Sequence, residues 1–184
     1  MTDEKHFPQR KSPRLPDYDY SQEGVYFVTI CLQNPRVHLF GRVIEGEMWL
    51  NNFGAIVWHC WQDLPNHYDH IDLDAFIVMP NHIHAIILIV SQHQYGLSEV
   101  VRALKSYSAK RINKQRNTTG TKIWQRSFHD HIIRNEADLN RLREYTIYNA
   151  AKWRVDTFYR PFNNNTFANY GELKPCSAVW IPPI

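Results

Sequence analysis

The segment from Leu73 to Val90 constrains the fold more than any other part of the chain. Leu73 to Met79 (LDAFIVM) and His82 to Val90 (HIHAIILIV) are strand-length runs rich in β-branched residues, with only Pro80-Asn81 between them. Proline and asparagine set a tight turn, and two strands joined by so short a turn pair antiparallel as a hairpin. The apolar run Ala85 to Val90 anchors the second strand in a sheet and leaves His82 and His84 at its entrance.

The flanking segments supply the partners. Val25 to Leu32 (VYFVTICL) reads as a buried strand, and Val43 to Leu50, with Gly46 at its middle, as a small hairpin or bulged strand. Asn51 or Asn52 can cap a helix from Phe53 to Leu64, which Pro65 ends. A second helix is expected over Gly96 to Lys114, with Ser98 as its N-cap and Val101, Leu104, Tyr107 and Ile112 on one side. Lys122 to Arg134 suggests a strand or two, and Asn135 caps a last helix from Glu136 to about Trp153. Strands and helices interleave, yet neighbouring strands can pair through short turns. The order predicts an α+β sandwich, one antiparallel sheet with helices on its faces, rather than a doubly wound parallel sheet. Residues 1–22 are basic and proline-rich and read as a surface arm, residues 23–155 as the domain, and residues 156–184 as an irregular tail.

Composition removes several classes of function. With 43% hydrophobic and 14% aromatic residues the 184-residue chain can bury a core without metal or disulfide. No apolar run approaches the ~18 residues of a membrane span. The first sixteen residues have no apolar centre, so no secretory signal is expected there. Cys31, Cys60 and Cys176 form no zinc pattern and suggest a reducing, cytoplasmic setting. No glycine-rich phosphate loop follows any strand. The net charge of +3 names no partner by itself.

Three groups carry chemistry. Residues two apart on a strand share a face, so His82 and His84 can reach one divalent ion; the same spacing also serves a surface pair. On the last helix Tyr145 and Asn149 are four apart and share a face, as a nucleophile with a metal ligand or as a half-buried phenol beside a helix-end amide. Arg102, Lys105, Lys110, Arg111 and Lys114 surround Tyr107, and Trp124, Arg126 and Arg134 follow. Cations interleaved with aromatics suit a single strand of nucleic acid, and equally an ordinary solvated helix face.

Together, RLPDYDYSQEGVYFVTICLQN, VMPNHIHAIILI, LKSYSAKRIN and WQRSFHDHIIRNEADLNRLREYTIYNAAKW, in that order, resemble the single-tyrosine HUH transposases, and most nearly their REP-associated branch. The resemblance runs from Arg14 to Trp153 and rests on the pairing of histidine-hydrophobic-histidine with a helical tyrosine about sixty residues later. It implies a ferredoxin-like α+β sandwich that binds single-stranded or hairpin DNA. It also implies Tyr145 as the nucleophile that forms a 5′-phosphotyrosine, and Mg²⁺ or Mn²⁺ held by His82, His84 and Asn149. Arg14, Arg102, Lys105, Lys110, Arg111, Lys114, Arg126 and Arg134 are the expected DNA contacts, in a monomer or homodimer away from any membrane. The family's usual Asn-Pro is here Asn149-Ala150, so the last helix is expected to run on, and Tyr148 is a rival nucleophile. A hairpin-binding relative that does not cut, and a metal-dependent RNA or nucleotide hydrolase, are the competing readings.

Overall fold

The hairpin expected from the sequence lies at the heart of the sheet. The computed structural model describes residues 18–161, with residue 15 and the strand pairs 174–175 and 179–180. Its elements are β1 (Gly24–Cys31), β2 (Gly41–Ile44), β3 (Glu47–Leu50), α1 (Asn52–Gln62), β4 (Ile71–Val78), β5 (His82–Ile89), α2 (Leu97–Gln115), β6 (His129–Ile133), α3 (Glu136–Ile147), β7 (Lys174–Pro175) and β8 (Val179–Trp180). The main sheet has the order β6-β1-β5-β4-β8, with every neighbouring pair antiparallel. With α1 between β1 and β4 and α2 between β5 and β6, this is the expected ferredoxin-like α+β sandwich. A smaller sheet, β2-β3-β7, stands beside it.

Alternation along β5 sorts the two faces. Ile83, Ala85, Ile87 and Ile89 enter the larger core with Val57 and Trp61 of α1 and Val100, Val101 and Leu104 of α2. On the opposite face Ile86 packs with Phe27, Ala75, Ile133 and Leu142, and Leu139 and Leu142 of α3 cover it. His82 and His84 share the parity of Ile86, so both stand on the α3 face.

Local chemistry explains most helix ends. Asn51, almost fully buried, accepts from the N–H of Phe53 and Gly54 at 3.0 and 3.1 Å and donates to Leu39 O at 2.8 Å. It thereby fixes both the start of α1 and the approach of the preceding loop. The start of α2 differs from expectation. Its N-cap is Gly96, not Ser98, and Leu97 N–H donates to Tyr20 O at 3.0 Å. A Cβ at Gly96 would lie 2.6 Å from that same carbonyl, so only glycine lets Tyr20 approach. Tyr107 also departs from expectation: it is 49% exposed while Val101, Leu104 and Ile112 are buried. It shares the direction of buried Val100, one heptad earlier, but its ring meets His67, 5.9 Å away, at the edge of the core.

Two further segments correct the sequence reading and one narrows it. α3 ends at Ile147, not near Trp153. The chain then tightens through 3₁₀-type bonds, Asn149 N to Thr146 O and Trp153 N to Ala150 O, and both Ala150 and Trp153 are buried. Of Lys122 to Arg134 only β6 is a strand, with one isolated bridge between Leu32 and Trp124. In the tail expected to be irregular, β7 pairs with β3 and β8 with β4. Two-residue strands recruited to a sheet edge have no periodic pattern to reveal them. At the other end, Tyr18 and Tyr20 pack against the core, and Tyr20 Oη donates to Asp130 Oδ2 at 2.7 Å.

Asn51→Ala removes a cap and a buried hydrogen bond together. We predict a loss of about 2 kcal/mol in urea unfolding; a loss below about 0.5 kcal/mol would show that the cap is replaceable.

Candidate active site

His82 and His84 are buried to within 1% of full exclusion, at the end of β5 where it pairs with Cys31 and Thr29 of β1. Their partners orient both rings and set the His82 tautomer. Asn81 Nδ2 donates to Pro35 O and Phe158 O at 2.6 and 3.0 Å, which leaves Asn81 Oδ1 to accept His82 Nδ1–H at 2.8 Å. His84 Nδ1 is hydrogen-bonded to Thr29 Oγ1 at 2.8 Å. Both rings therefore turn Nε2 toward each other, and the two nitrogens form a hydrogen-bonded pair at 3.0 Å. Anchoring of the remote ring nitrogen is how proteins orient metal-ligating imidazoles. Burial lowers the His82 pKa to about 3, and burial and the neighbouring His82 put His84 well below its ordinary value. Both rings are neutral at pH 7, and their Nε2 atoms converge where a cation would join them.

α3 brings the tyrosine to this point. Arg143 clamps the helix to β4 by a forked ion pair with the buried Asp74, with Nε to Oδ1 at 2.9 Å. Two residues on, Tyr145 Oη lies 3.3 Å from His84 Nε2, its ring edge-on to both His84 and Phe27. Tyr148 is 55% exposed and makes no hydrogen bond or ring contact with either histidine among the described residues.

Asp156, just beyond a 3₁₀ turn at Trp153–Val155, is the group that the sequence did not single out. Its Oδ2 accepts from Tyr145 Oη at 3.2 Å and from Asn149 Nδ2 at 3.0 Å, and its Oδ1 accepts from Phe158 N at 2.6 Å. His82, His84 and Asp156 each offer a ligand atom within 4.8 Å of the others. Burial and the Asp156 charge push the Tyr145 pKa up to about 12. Asn149 reaches the site by a different route from the one expected: it lies beyond the helix, in the turn, rather than on a helical face shared with Tyr145. Its Nδ2 holds Asp156, and its Oδ1 is buried without a hydrogen-bond partner, a further oxygen at the site. The one signal for Asp156 was its isolation, as the lone carboxylate between Glu144 and Glu172.

The expected DNA contacts fall elsewhere. Arg102, Lys105, Lys110, Arg111 and Lys114 ride on α2, across the sheet from the histidines. Arg102 pairs with Glu99, Lys105 Nζ donates to Arg126 O at 2.9 Å, and Arg111 lies 4.0 Å from Asp63. Arg126 and Arg134 flank β6, and Arg14 lies outside the described residues.

The buried histidines set an acid limit on stability. In the unfolded chain each takes a proton near pH 6.5, whereas folded His82 does so only near pH 3. The unfolded state therefore binds more protons between these values, and stability falls as the pH drops through that window. We predict a decline of roughly 1.4 kcal/mol per pH unit per histidine below pH 6.5, read by urea unfolding at pH 7 and pH 5. A flat profile would mean that the rings are already charged or exposed in the fold.

Comparison with known proteins places the chain in a family. The family model described as "Transposase IS200 like" matches residues 42–149, more than half of the chain. An uncharacterised protein of Haemophilus influenzae is 35% identical over 170 residues, covering 82% of this chain and 93% of that protein. A second protein of that organism, named provisionally as a REP-associated tyrosine transposase, is 24% identical over 159 residues, covering 77% and 84%. Among solved structures, a REP-associated tyrosine transposase bound to a REP hairpin superposes with a TM-score of 0.56 at 18% identity, over 84% of this chain and 94% of that one. Among the described residues no helix is long and apolar enough to cross a membrane. With its histidine pair and tyrosine held together on a ferredoxin-like sheet, the chain belongs to the IS200-like transposase family.

Proposed function

We propose that the protein cleaves and rejoins single-stranded or hairpin DNA through a covalent bond to Tyr145. One observation supports this above the rest: two imidazole nitrogens 3.0 Å apart, with a phenol oxygen 3.3 Å from one of them. The hairpin named in the superposed structure and the REP-associated name of a relative support a hairpin substrate.

The donor set fits a divalent cation. His82 Nε2, His84 Nε2 and an Asp156 oxygen would hold it, with the unpartnered Asn149 Oδ1 as a further candidate. Two imidazoles with a carboxylate suit Mn²⁺ and tolerate Mg²⁺. Such an ion, when bound, would neutralise charge on the scissile phosphate and favour the tyrosinate.

The chain's own residues do the rest. The Tyr145 Oη–phosphorus bond forms as the bond to the DNA 3′-oxygen breaks, which leaves a 5′-phosphotyrosine and a free 3′-hydroxyl. Asp156, already accepting a hydrogen bond from Tyr145, takes the phenol proton, and the departing 3′-oxygen takes one from water. The ester keeps the energy of the original bond, so attack by a 3′-hydroxyl rejoins strands without a nucleotide cofactor.

Labelled hairpin DNA with a single-stranded extension, incubated with Mn²⁺, tests the proposal on a denaturing gel. We expect a protein–DNA adduct that Tyr145→Phe abolishes and Tyr148→Phe keeps, and that Asp156→Asn slows at least tenfold. Absence of an adduct from the wild-type chain under every divalent metal would point instead to a hairpin-binding protein that does not cut. Metal-dependent cutting with no adduct would point to a hydrolase. Asn81→Ala should weaken Mn²⁺ binding by about 10- to 100-fold, because it frees the remote nitrogen of His82; unchanged affinity would show that His82 is not a ligand.

A further inference from the structure

The far end of the β4–β5 hairpin carries a second cluster of ligand-type side chains. His70 leads into β4, and its carbonyl accepts from Val90 N–H at 2.9 Å, just where β5 leaves the sheet. His82 opens β5 at the other end, so this cluster and the candidate active site stand roughly 25 Å apart along the strand. A cleft of about 380 Å³ opens here between residues 65–70 and 93–95. Asp69, His70 and His93 each offer it a ligand atom within 4.8 Å of the others.

His70 is the residue that points to a ligand. It is 2% exposed. Its Nε2 lies 2.7 Å from Tyr95 O, and a carbonyl can only accept, so Nε2 carries the proton. Nδ1 of the neutral ring is then a lone pair, buried and without a hydrogen-bond partner. Buried polar atoms of this kind are rare and call for an explanation. The exposed Asp69 places Oδ1 3.7 Å from that nitrogen, too far for a hydrogen bond. Two electron-rich atoms set face to face repel an anion and suit a cation. Two ligands at ~2.1 Å from a tetrahedral ion stand roughly 3.4 Å apart, so this pair needs little movement to share one. The carbonyl on the remote nitrogen is the kind of anchor that orients a metal-ligating imidazole.

His93 supplies the third group. Its ring is stacked on His70 with centroids 4.1 Å apart, and its Nδ1 accepts from Tyr95 N–H at 3.2 Å. Stacked rings aim their lone pairs side by side, so closing the site takes a turn of the His93 ring about its side-chain torsions. His93 is only partly buried, in the connection between β5 and α2, which leaves that turn open to it. Two imidazoles and a carboxylate, with water in the fourth position, are a donor set for zinc. We propose that Asp69, His70 and His93 bind Zn²⁺ as a second metal site, which pins the β5–α2 connection to the start of β4. The role is structural: Tyr95 lies two residues before Leu97, whose N–H holds Tyr20 O, so the ion would fix the entry to α2. The site does not rest on the strand-cleavage reading.

Zn²⁺ binding to the full chain at neutral pH, by equilibrium dialysis and by the shift in unfolding temperature, tests this. The variant His82→Ala/His84→Ala, which lacks the histidines of the candidate active site, should still bind one Zn²⁺ and unfold at a higher temperature with it. Adding Asp69→Asn or His93→Ala should weaken that binding at least tenfold and remove the shift. Adding His93→Cys should keep both, because a thiolate is a zinc ligand, which separates ligation from folding. Should His82→Ala/His84→Ala fail to fold, His93→Ala alone should lower the Zn²⁺ bound by the wild-type chain by one. Absence of Zn²⁺ from the folded His82→Ala/His84→Ala variant would overturn the proposal. So would an affinity that neither Asp69→Asn nor His93→Ala changes. His93→Ala should form the Tyr145 adduct with Mn²⁺ as the wild type does; its loss there alone would overturn the structural role. If the wild type forms no adduct but these binding results hold, the cleavage reading fails and the zinc site stands.

Discussion

The side chain of Asn81 ties the site together. It is almost fully buried, and its amide nitrogen bonds two backbone carbonyls, Pro35 O before α1 and Phe158 O beyond α3. Its oxygen accepts the His82 ring proton. One carboxamide thus joins the β4–β5 turn, the loop after β1 and the segment that brings in Asp156. Each bond is worth only about 1 kcal/mol net, yet leaving any of those buried groups unpaired costs more. The segment that carries Asp156 is therefore held over the histidines by the same residue that sets the His82 tautomer.

Around that junction the sheet supplies dryness and direction. Burial keeps His82 and His84 neutral, with their Nε2 atoms facing each other. Asn81 and Thr29 hold the far side of each ring, which fixes the direction in which the two Nε2 atoms point. Burial also raises the Tyr145 pKa, so the phenol is protected as a neutral donor until positive charge arrives near it. The Arg143–Asp74 clamp on the same helix keeps the phenol within hydrogen-bonding distance of His84. Reactivity and rigidity thus come from the same burial.

How much of this the sequence carried depended on how local each feature is. The 73–90 hairpin was legible because strand runs and a Pro-Asn turn are contiguous. His82 and His84 followed from strand parity, and Tyr145 from the resemblance together with its place on a capped helix; the structure sets all three together. Asp156 was not legible, because it enters through a turn whose course is set by burial of Ala150 and Trp153 rather than by periodicity. That burial also ends α3 at Ile147, where helix propensity and the missing proline suggested continuation. The basic residues of α2 were visible as a set, but which face of the sheet a helix covers is a tertiary outcome. Their distance from the histidines could not be read from spacing.

The measurement that bears most directly on the central claim is anomalous diffraction from crystals soaked in Mn²⁺. The expected result is a peak bonded to His82 Nε2, His84 Nε2 and an Asp156 oxygen, with Tyr145 Oη facing its open side. No peak at these two histidines, or one bonded to them with Asp156 turned away, would contradict it.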